Sequence, residues 1–535
     1  KIKKENGPDA IAGISSARCT NEENYVFQKM IRAAVGTNNI DCCARICHSP
    51  TAWGMQQTFG TGAATNSTED IYHADLFLVI GANPTNAHPV TGAKIKQQVM
   101  KGKKLIVLDP IETEVAKLAD YHIRLRPGTN VAVLNMMLHF IVKSKLYKKD
   151  FIEKRTEGFD KFLEHIENQD VDKLAAVAGV DKQLVKEAAI AYATAKNAME
   201  FHGLGVTEHE QGSKTVMLIA DLAMITGNIG RKGVGVNPLR GQNNVQGAAD
   251  MGCQPHQGAG YFPVADQKIQ DFYTEKYGVV HPTKAGLKIP EMFDAAINKE
   301  IKGLWIIGED IVQTDPNSNH VIAAMKALDL LVVQEIFMSE TAKYADVVLP
   351  GTTFLEKDGT FTNTERRVQR VNRAAEPLPG TKPDGVIVTD MMQKLGFDQK
   401  TYDADEVLAE IADIVPFFKG ITRERLGKLG LQWPVKEDGT DTKILHEKEF
   451  KLGKGRLKYF DWKESSEINK NKKEYPLILT TSRVLQHYNA ATMTRRTNNI
   501  NIVDEDILLV HPQDAKYREL NTGDIARLYS GRGEV

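Results

Sequence analysis

The feature that most constrains the fold is a strand–helix pattern that occurs twice in the chain. In the first copy, an apolar run at 75–80 ends at Gly81, and a helix-like stretch follows at 88–100. A second apolar run at 104–108 then ends at Asp109. Apolar runs of this length, separated by a helix, are typical of parallel strands that are buried on both faces.

The second copy begins more than 200 residues downstream and keeps the same order and spacing. The run at 303–307 ends at Gly308, a helix-like stretch covers 318–328, and the run at 330–334 ends at Glu335. The glycine precedes the acidic residue by 28 residues in the first copy and by 27 in the second. The match indicates two related structural units.

Each copy continues with a short helix-like stretch, an Ala-Asp pair and a third strand. The predicted helices are 112–118 and 340–343, and the predicted third strands are 122–125 and 347–349. Each unit is therefore predicted to have the order β-α-β-α-β, which folds into a parallel sheet covered by helices.

Parallel sheets of this kind bind ligands outside the carboxyl ends of their strands. A glycine there lets the backbone approach a phosphate, and a helix N-terminus offers free N–H donors. The two units therefore favour two nucleotide-bearing ligands, or one ligand with two nucleotide arms. A scaffold without a ligand is the alternative, and the lack of G-x-G-x-x-G argues against ordinary NAD binding.

Charge and composition exclude several classes of protein. The 535 residues include 68 Lys and Arg against 69 Asp and Glu, a net charge of −1. Nucleic acid and anionic membranes call for a cationic surface, so neither is expected as a partner. The longest mostly apolar stretch, 131–142, is 12 residues long. A membrane span needs about 20 residues, so no span is predicted.

The five cysteines include no C-x-x-C pair, which argues against a zinc site or an iron–sulfur cluster held by this chain alone. Cys47 is followed directly by His48. This pair suits a nucleophile or a metal-bound thiolate beside a proton acceptor, and a buried core thiol is the alternative. His202 and His209 are interpreted as hydrogen-bonded structural histidines because no metal-binding spacing surrounds them.

A second candidate for chemistry is the polar loop 237–252, which is rich in Gly, Asn and Gln and carries Arg240. A guanidinium forms forked hydrogen bonds with a carboxylate, so the loop suits recognition of a planar anion. A solvated turn is the alternative.

Several motifs together resemble the catalytic subunit of molybdopterin-dependent formate dehydrogenases, members of the dimethyl sulfoxide reductase family. The resemblance runs over essentially the whole chain and includes the polar loop and five further motifs: Cys47-His48, 80–84 with His88-Pro89, 307–310, 358–370 and 475–488. The chain begins with Lys and stops in mid-pattern, so we expect a piece truncated at both ends.

The resemblance implies a molybdenum or tungsten ion held by two molybdopterin guanine dinucleotides. It implies that Cys47 is the metal ligand, that His48 accepts a proton and that Arg240 holds the formate carboxylate. The implied reaction is the reversible two-electron oxidation of formate to CO₂. Another reaction of the family, such as nitrate reduction, and a non-catalytic structural subunit of an electron-transfer complex are the alternatives.

The resemblance also implies contacts to the two dinucleotides. For one guanine arm these are Asn83, Asn86, Asp109, Glu112 and Asn130. For the other arm they are Gly308, Asp310, Gln334, Phe337, Ser339 and Thr341. On the pterin side they are Leu204, Gly205, Glu208, Ser482, Arg483, His487 and Tyr488, and Gln242 is implied to help hold the cofactor.

The family usually carries a [4Fe–4S] cluster on a cysteine quartet, and that quartet is not recognisable here. We expect the cluster in the full-length protein, with its ligands outside this chain. The expected partner is an iron–sulfur electron-transfer subunit, with a hydrogenase or an NAD-reducing module as candidates. The expected compartment is the cytoplasm.

The predicted fold is α/β and multidomain, with two pseudo-related doubly wound nucleotide-binding domains. Residues 1–42 with 243–355 are predicted to form one of these domains, and residues 43–242 the other. A small α+β segment is predicted at 356–470. Residues 471–535 are predicted to begin a C-terminal β-barrel-like domain.

Overall fold

The computed structural model describes residues 1–535 and contains two five-stranded parallel sheets. The strands of the first sheet, in spatial order, are Val347–Pro350, Leu330–Glu335, Gly303–Ile307, Ile11–Ser15 and Ile40–Cys42. Those of the second sheet are Tyr121–Ile123, Lys104–Leu108, Leu76–Ile80, Ala198–His202 and Gly235–Pro238. Every neighbouring pair in both sheets is parallel. The predicted α/β fold with two related parallel units is confirmed.

The two sheets arrange the repeat strands in the same way, although the two further strands precede the repeat in the first sheet and follow it in the second. In each, the three strands of the repeat lie side by side, and two further strands extend the sheet beyond the first strand of the repeat. Both central strands end at a glycine with positive φ, 53° at Gly81 and 58° at Gly308. The carboxyl ends of each sheet therefore present an equivalent turn.

Helices cover both sheets. The α-helices are Ile2–Asn6, Asn21–Lys29, Ser49–Thr58, Pro84–Ala87, Pro89–Met100, Asn130–Lys143, Lys149–Arg155, Phe159–Glu167, Val171–Ala178, Lys182–Thr194, Leu204–Thr207, Gly212–Thr226, Val245–Asp250, Gln267–Tyr277, Ile289–Ile297, Ile311–Thr314, Ser318–Ala327, Asp384–Lys394, Ala404–Ile414, Arg423–Leu426, Ser466–Asn471 and Pro512–Tyr517. Asn21–Lys29 continues as the π-helix Met30–Val35.

The sheets are buried on both faces, which explains their continuous apolar strands. In Leu76–Ile80, Leu76, Leu78 and Ile80 join one apolar cluster, whereas Phe77 and Val79 join another on the opposite face. Side chains of a strand alternate between its two faces, so one strand contributes to two cores.

The short helices predicted within the repeats are smaller than expected. The structure has 3-10 turns at Ala116–Leu118 and Thr341–Tyr344 in place of the helices predicted at 112–118 and 340–343. In the first copy the turn is capped by its own side chains, since Thr113 Oγ1 accepts from the N–H of Ala116. Such local caps compete with a longer helix.

Residues 356–470 contain an antiparallel sheet of Gly359–Thr362, Arg367–Val371 and Leu431–Gln432, and short parallel strands pair Gly455–Arg456 with Thr156–Glu157. The short strands Gln257–Gly258 and Phe262–Pro263, outside this segment, pair with each other in antiparallel orientation. The domain boundaries given above stay a prediction.

The apolar residues 477–479 do not form a strand, and they have no regular structure. Leu477, Ile478 and Leu479 are between 50 and 64 % exposed, since no strand pairs with them. The strands of this region are the hairpin Tyr529–Ser530 with Gly533–Glu534. That residues 471–535 begin a β-barrel-like domain stays a prediction.

None of the helices combines the length and the apolar character that a bilayer crossing requires.

Candidate active site

Cys47 lies between the 3-10 turn Cys43–Arg45 and the helix Ser49–Thr58, two residues before the helix begins. Pro50 in the first turn of this helix favours its start at this point. The Thr207 hydroxyl donates to the carbonyl of Cys47 at 3.0 Å. The local sequence thus fixes where the helix begins, and Thr207 from a distant segment fixes the backbone of the candidate metal ligand.

The Cys47 thiol is buried, and burial raises its pKa to about 12, with the Glu208 carboxylate as a second cause. The guanidinium groups of Arg240 and Arg483 and the main-chain amide of Gly241 act in the opposite direction. Without a cation the side chain is therefore a thiol. A metal ion would convert it to the thiolate, because a coordinated thiol loses its proton.

His48 is fully buried and both of its ring nitrogens contact protein atoms. Nε2 lies 3.0 Å from the carbonyl oxygen of Leu239, and Nδ1 lies 3.0 Å from Thr51 Oγ1. A carbonyl only accepts, so Nε2 carries a hydrogen. Burial, with the nearby charges of Arg240 and His202, places the pKa of His48 well below its ordinary value.

Arg240 follows Leu239 and is 4 % exposed. Its NH2 group donates to the carbonyl of Gly62 at 2.9 Å, and its own carbonyl accepts from His88 Nε2 at 2.8 Å. Its Nε atom is buried without a partner. The guanidinium is therefore anchored on one side and keeps an unused donor for an anion.

The structure brings together all three predicted catalytic residues. His48 and Arg240 are linked through Leu239, and Arg240 is close enough to Cys47 and His48 to lower the pKa of both. Gln242, in the same loop, has a buried Oε1 atom without a partner. The loop and the start of the helix Ser49–Thr58 form one compact candidate site.

The second sheet forms a cradle at the carboxyl end of its central strand. Gly81 and Gly205 touch, since a Cβ on Gly81 would lie 2.5 Å from the carbonyl carbon of Gly205. Asn130 Nδ2 donates to the carbonyl of Gly205 at 3.0 Å. Buried Asn83 Oδ1, Thr85 Oγ1 and His88 Nδ1 have no partner. Unpaired buried polar atoms at such an edge suit a polar ligand.

The other residues predicted for this cradle lie around it. Asn86 Nδ2 donates to the carbonyl of Arg483 at 3.1 Å. Asp109 accepts from the N–H of Ile111, and burial raises its pKa to about 6. Leu204 is half-buried, whereas Glu112 is exposed and has no hydrogen bond from its side chain.

The first sheet forms the equivalent cradle at Gly308. The Ser16 hydroxyl donates to the carbonyl of Gly308 at 3.0 Å, and Arg18 NH1 donates to the same oxygen at 3.4 Å. Buried Gln334 donates to Asp384, and its Oε1 atom has no partner.

Three residues predicted to contact the ligand at this edge contact each other or their own turn. The Asp310 carboxylate accepts from both the N–H and the hydroxyl of Thr341, at 2.9 and 2.8 Å. Ser339 Oγ accepts from the N–H of Ala342. Asp310, Ser339 and Thr341 thus build the turn next to Gly308 and hold the cradle in shape.

The predicted C-terminal residues divide into two groups. Arg483 and Tyr488 reach the site: the Tyr488 hydroxyl donates to Asn243 Oδ1 at 2.8 Å, and Arg483 affects the pKa of Cys47. His487 contacts Thr494 and Val503 within its own segment, and Ser482 is exposed. Phe337 lies under the guanidinium of Arg496 at 5.1 Å.

Sequence reasoning singled out Glu335 but missed other buried charged groups at the first cradle, namely Arg18, Glu309 and Asp315. Burial raises the pKa of Glu335 and of Asp315 to about 7, and Glu309 lies close to both carboxyl groups. Arg18 Nε, Glu309 Oε1 and Asp315 Oδ1 are buried without a partner. Ser16 and Arg18 could have been found from the sequence, because they follow the carboxyl end of the strand Ile11–Ser15, which lies in the same sheet.

One group of possible metal ligands lies outside the site, at Cys19, Glu23 and Asp384. The ammonium of Lys357 lies 2.9 Å from Glu23 Oε2 and 2.6 Å from Asp384 Oδ2. One ammonium group thus already pairs with both carboxylates. We therefore interpret the group as a buried ion-pair cluster that holds the segment after Gly351 to the first sheet.

The two cradles fit a ligand with two nucleotide arms. Each has a glycine turn at a strand end and buried polar atoms that lack a partner inside the protein. Cys47 and Arg240 add a thiol and a free guanidinium donor. The donor set of sulfur at Cys47 with polar cradles fits a soft, redox-active metal carried by pterin nucleotides.

Comparison with known families agrees with this geometry. Residues 1–394 match the family described as molybdopterin oxidoreductase, and residues 477–535 match the "Molydopterin dinucleotide binding domain". The chain belongs to the molybdopterin oxidoreductase family, within the dimethyl sulfoxide reductase family. The match supports a molybdenum or tungsten pterin cofactor.

Two similar proteins are formate dehydrogenases by name. The chain is 46 % identical to the F420-dependent formate dehydrogenase subunit alpha of Methanocaldococcus jannaschii, over 98 % of this chain and 78 % of that protein. It is 38 % identical to formate dehydrogenase H of Escherichia coli, over 98 % of this chain and 73 % of that protein. The acetylene hydratase of Pelobacter acetylenicus shares the fold, with a TM-score of 0.74 and 21 % identity over 98 % of this chain and 76 % of that one.

Proposed function

We propose that this chain is the catalytic subunit of a formate dehydrogenase that oxidises formate to CO₂ and can run in reverse. The C–H bond of formate breaks and yields CO₂, one proton and two electrons. The observation that carries the proposal is the meeting of Cys47, His48 and Arg240 at one buried site. Formate dehydrogenases at 38 to 46 % identity over nearly the whole chain support it.

Arg240 is proposed to bind the formate carboxylate. Its contact with Gly62 fixes the guanidinium, and the buried Nε atom leaves a donor for a carboxylate oxygen. Binding would therefore satisfy a donor that is otherwise buried and unpaired, which favours an anion. His88 supports this geometry by holding the carbonyl of Arg240.

Cys47 is proposed to hold the metal, and the bound metal–pterin group would take up the two electrons. The cradle residues around Gly81 and Gly308 are proposed to hold the two guanine dinucleotides. His48 is the candidate proton acceptor, and its Nδ1 atom faces the Thr51 hydroxyl. Its neighbours exclude water, since His48 and Thr51 are fully buried.

An iron–sulfur cluster and an electron-transfer subunit are proposed to receive the electrons. Within residues 1–535 the cysteine sulfurs do not gather into a cluster site, since the one group of three possible ligands contains a single cysteine. The identity of the metal, the electron partner and the cytoplasmic location also stay predictions.

The experiment is to produce the protein with its cofactor and to measure metal, pterin and formate-dependent reduction of a viologen dye. We expect about one molybdenum or tungsten per chain and dye reduction that depends on formate. Holo-protein that reduces nitrate and leaves formate untouched would support the alternative within the family. Protein that binds neither metal would support a structural subunit.

A further inference from the structure

A continuous chain of hydrogen bonds runs from His48 into the interior of the second sheet. His48 Nδ1 lies 3.0 Å from Thr51 Oγ1, which lies 3.2 Å from His202 Nε2. His202 Nδ1 lies 3.0 Å from Glu200 Oε1. All four side chains are 0 % exposed. Residues from the helix Ser49–Thr58 and the strand Ala198–His202 thus meet through polar atoms inside an apolar core.

The direction of these bonds follows from the chemistry of the two ends. The carbonyl of Leu239 accepts from His48 Nε2, so this nitrogen carries a hydrogen. Arg240 lies near His48, whereas the Glu200 carboxylate lies beside His202. A neutral His48 with its hydrogen on Nε2 has a lone pair on Nδ1, and this lone pair accepts from the Thr51 hydroxyl.

Thr51 then accepts from His202 Nε2–H, which completes the chain. His202 therefore has a hydrogen on Nε2, and one further hydrogen lies between its Nδ1 atom and the Glu200 carboxyl group. Glu200 is itself fixed, since its Oε2 atom accepts from the N–H of Asn237 at 3.3 Å. Asn237 is in the strand Gly235–Pro238, which leads directly to Arg240.

We propose that Thr51, His202 and Glu200 are positioning residues that hold the His48 ring in one orientation with its hydrogen on Nε2. The inference rests on the proposed function, since it assigns these residues to the site of formate oxidation. Thr51 contacts His48 directly, His202 orients the Thr51 hydroxyl, and Glu200 orients His202. Partners that orient a metal-ligating histidine commonly change affinity or activity about 10- to 100-fold when removed, and we expect an effect of the same order for the His48 ring.

The test compares Thr51→Val, which removes the hydroxyl but keeps the shape, with Thr51→Ser, which keeps the hydroxyl. Both variants are made in the cofactor-loaded protein, and metal content is measured for each. We expect Thr51→Val to lower kcat for formate about 10- to 100-fold with KM changed less than about twofold, since Arg240 is untouched. We expect Thr51→Ser to restore kcat. A merely structural role would not give rescue by serine at equal metal content.

A second readout is independent of activity. Protein labelled with ¹⁵N-histidine reports the hydrogen on each ring nitrogen, and His48→Gln identifies the His48 signals among the 14 histidines. We expect wild-type His48 to show a protonated Nε2 and an unprotonated Nδ1, and Thr51→Val to shift the Nδ1 signal. A wild-type His48 with its hydrogen on Nδ1 would overturn the proposal, and this holds even if Thr51→Val does not fold.

The two proposals fail in different ways. Fully loaded wild-type protein without formate-dependent dye reduction would overturn the proposed function, while the ring signals of His48 would still decide the orientation. Normal formate oxidation by Thr51→Val, with an unchanged Nδ1 signal, would overturn the positioning chain alone.

Discussion

His48 Nε2 donates to the main-chain carbonyl of Leu239 at 3.0 Å, and this contact joins the two segments of the candidate site. Leu239 precedes the arginine proposed to hold formate, and His48 follows the cysteine proposed to hold the metal. The loop that carries Arg240 and the segment that carries Cys47 are therefore fixed to each other through this hydrogen bond. A change in either segment is expected to alter the other.

Replacing Cys47 with serine is expected to abolish formate oxidation while the fold is retained. Serine keeps the size of the side chain but offers no thiolate to a soft metal. We expect activity to fall at least about a hundredfold and metal content to fall with it, measured by elemental analysis beside circular dichroism. Cys43→Ser, a buried neighbour, is the matched control and should keep its metal. Full activity in Cys47→Ser would remove this cysteine from the mechanism.

Replacing Arg240 with alanine is expected to weaken formate binding more than it slows turnover. A hydrogen bond to a charged group contributes about 1.5–3 kcal/mol, which corresponds to a rise in KM of roughly 10- to 150-fold. Steady-state kinetics over a wide formate range measures this rise. Arg240→Lys keeps the charge but loses the fork, and we expect an intermediate KM. Unchanged kinetics in both variants would refute the role of Arg240.

Gly81→Ala tests the second cradle. A Cβ at this position would lie 2.5 Å from Gly205, and the positive φ of Gly81 adds strain of about 1–2 kcal/mol. We expect a lower melting temperature and a lower content of bound guanine nucleotide. Gly102→Ala is the matched control, because Gly102 also has positive φ, 91°, but has open space around it. Equal nucleotide content in the two variants would contradict the proposal that the turn at Gly81 helps to bind a guanine nucleotide.

Lys357→Met tests the buried ion-pair cluster. The substitution leaves the Glu23 and Asp384 carboxylates buried without their cation, which is expected to cost about 3–5 kcal/mol of the free energy of unfolding. Denaturant titration measures this loss. Lys103→Met is the control: its ion pair with Asp75 is partly exposed, and its loss should cost less than about 1 kcal/mol. Similar losses in both would show that Lys357 is not needed to neutralise the cluster.

The Glu335 carboxyl is expected to contribute less to the stability of the folded protein as pH rises from 5 to 7. Burial raises the pKa of Glu335 to about 7, above the value of about 4.3 for an unfolded chain, so the folded state holds the proton more tightly. Between these values the unfolded state binds fewer protons, and stability decreases with pH by at most about 1.4 kcal/mol per unit for this group. Thermal melts of Glu335→Gln should show a smaller pH dependence than wild type. An identical pH dependence of stability in the two proteins would contradict the raised pKa of Glu335.

Local sequence signals predicted the two sheets and their turns because those features depend on residues close together in the chain. Apolar runs predicted the strands, and Gly81 and Gly308 were predicted to end the central strands because backbone at such turns favours glycine. Asp120 and Asp346, which follow the second helix-like stretch of each copy, also make equivalent hydrogen bonds in the two sheets. Asp120 accepts from the N–H of Leu105 at 2.8 Å, and Asp346 accepts from that of Leu331 at 2.7 Å.

The sequence by itself thus determined the repeat, the α/β class and the nomination of Cys47, His48 and Arg240. Only the tertiary structure decided which buried polar groups meet. Thr51 and His202 are 151 residues apart, and Glu23 is joined to Asp384 through Lys357. It also showed that the Asp310 carboxylate binds Thr341 in its own turn. Periodicity tells which side chains point inward, but the partner of a buried polar group depends on how distant segments pack, and a buried group must find its hydrogen bonds there.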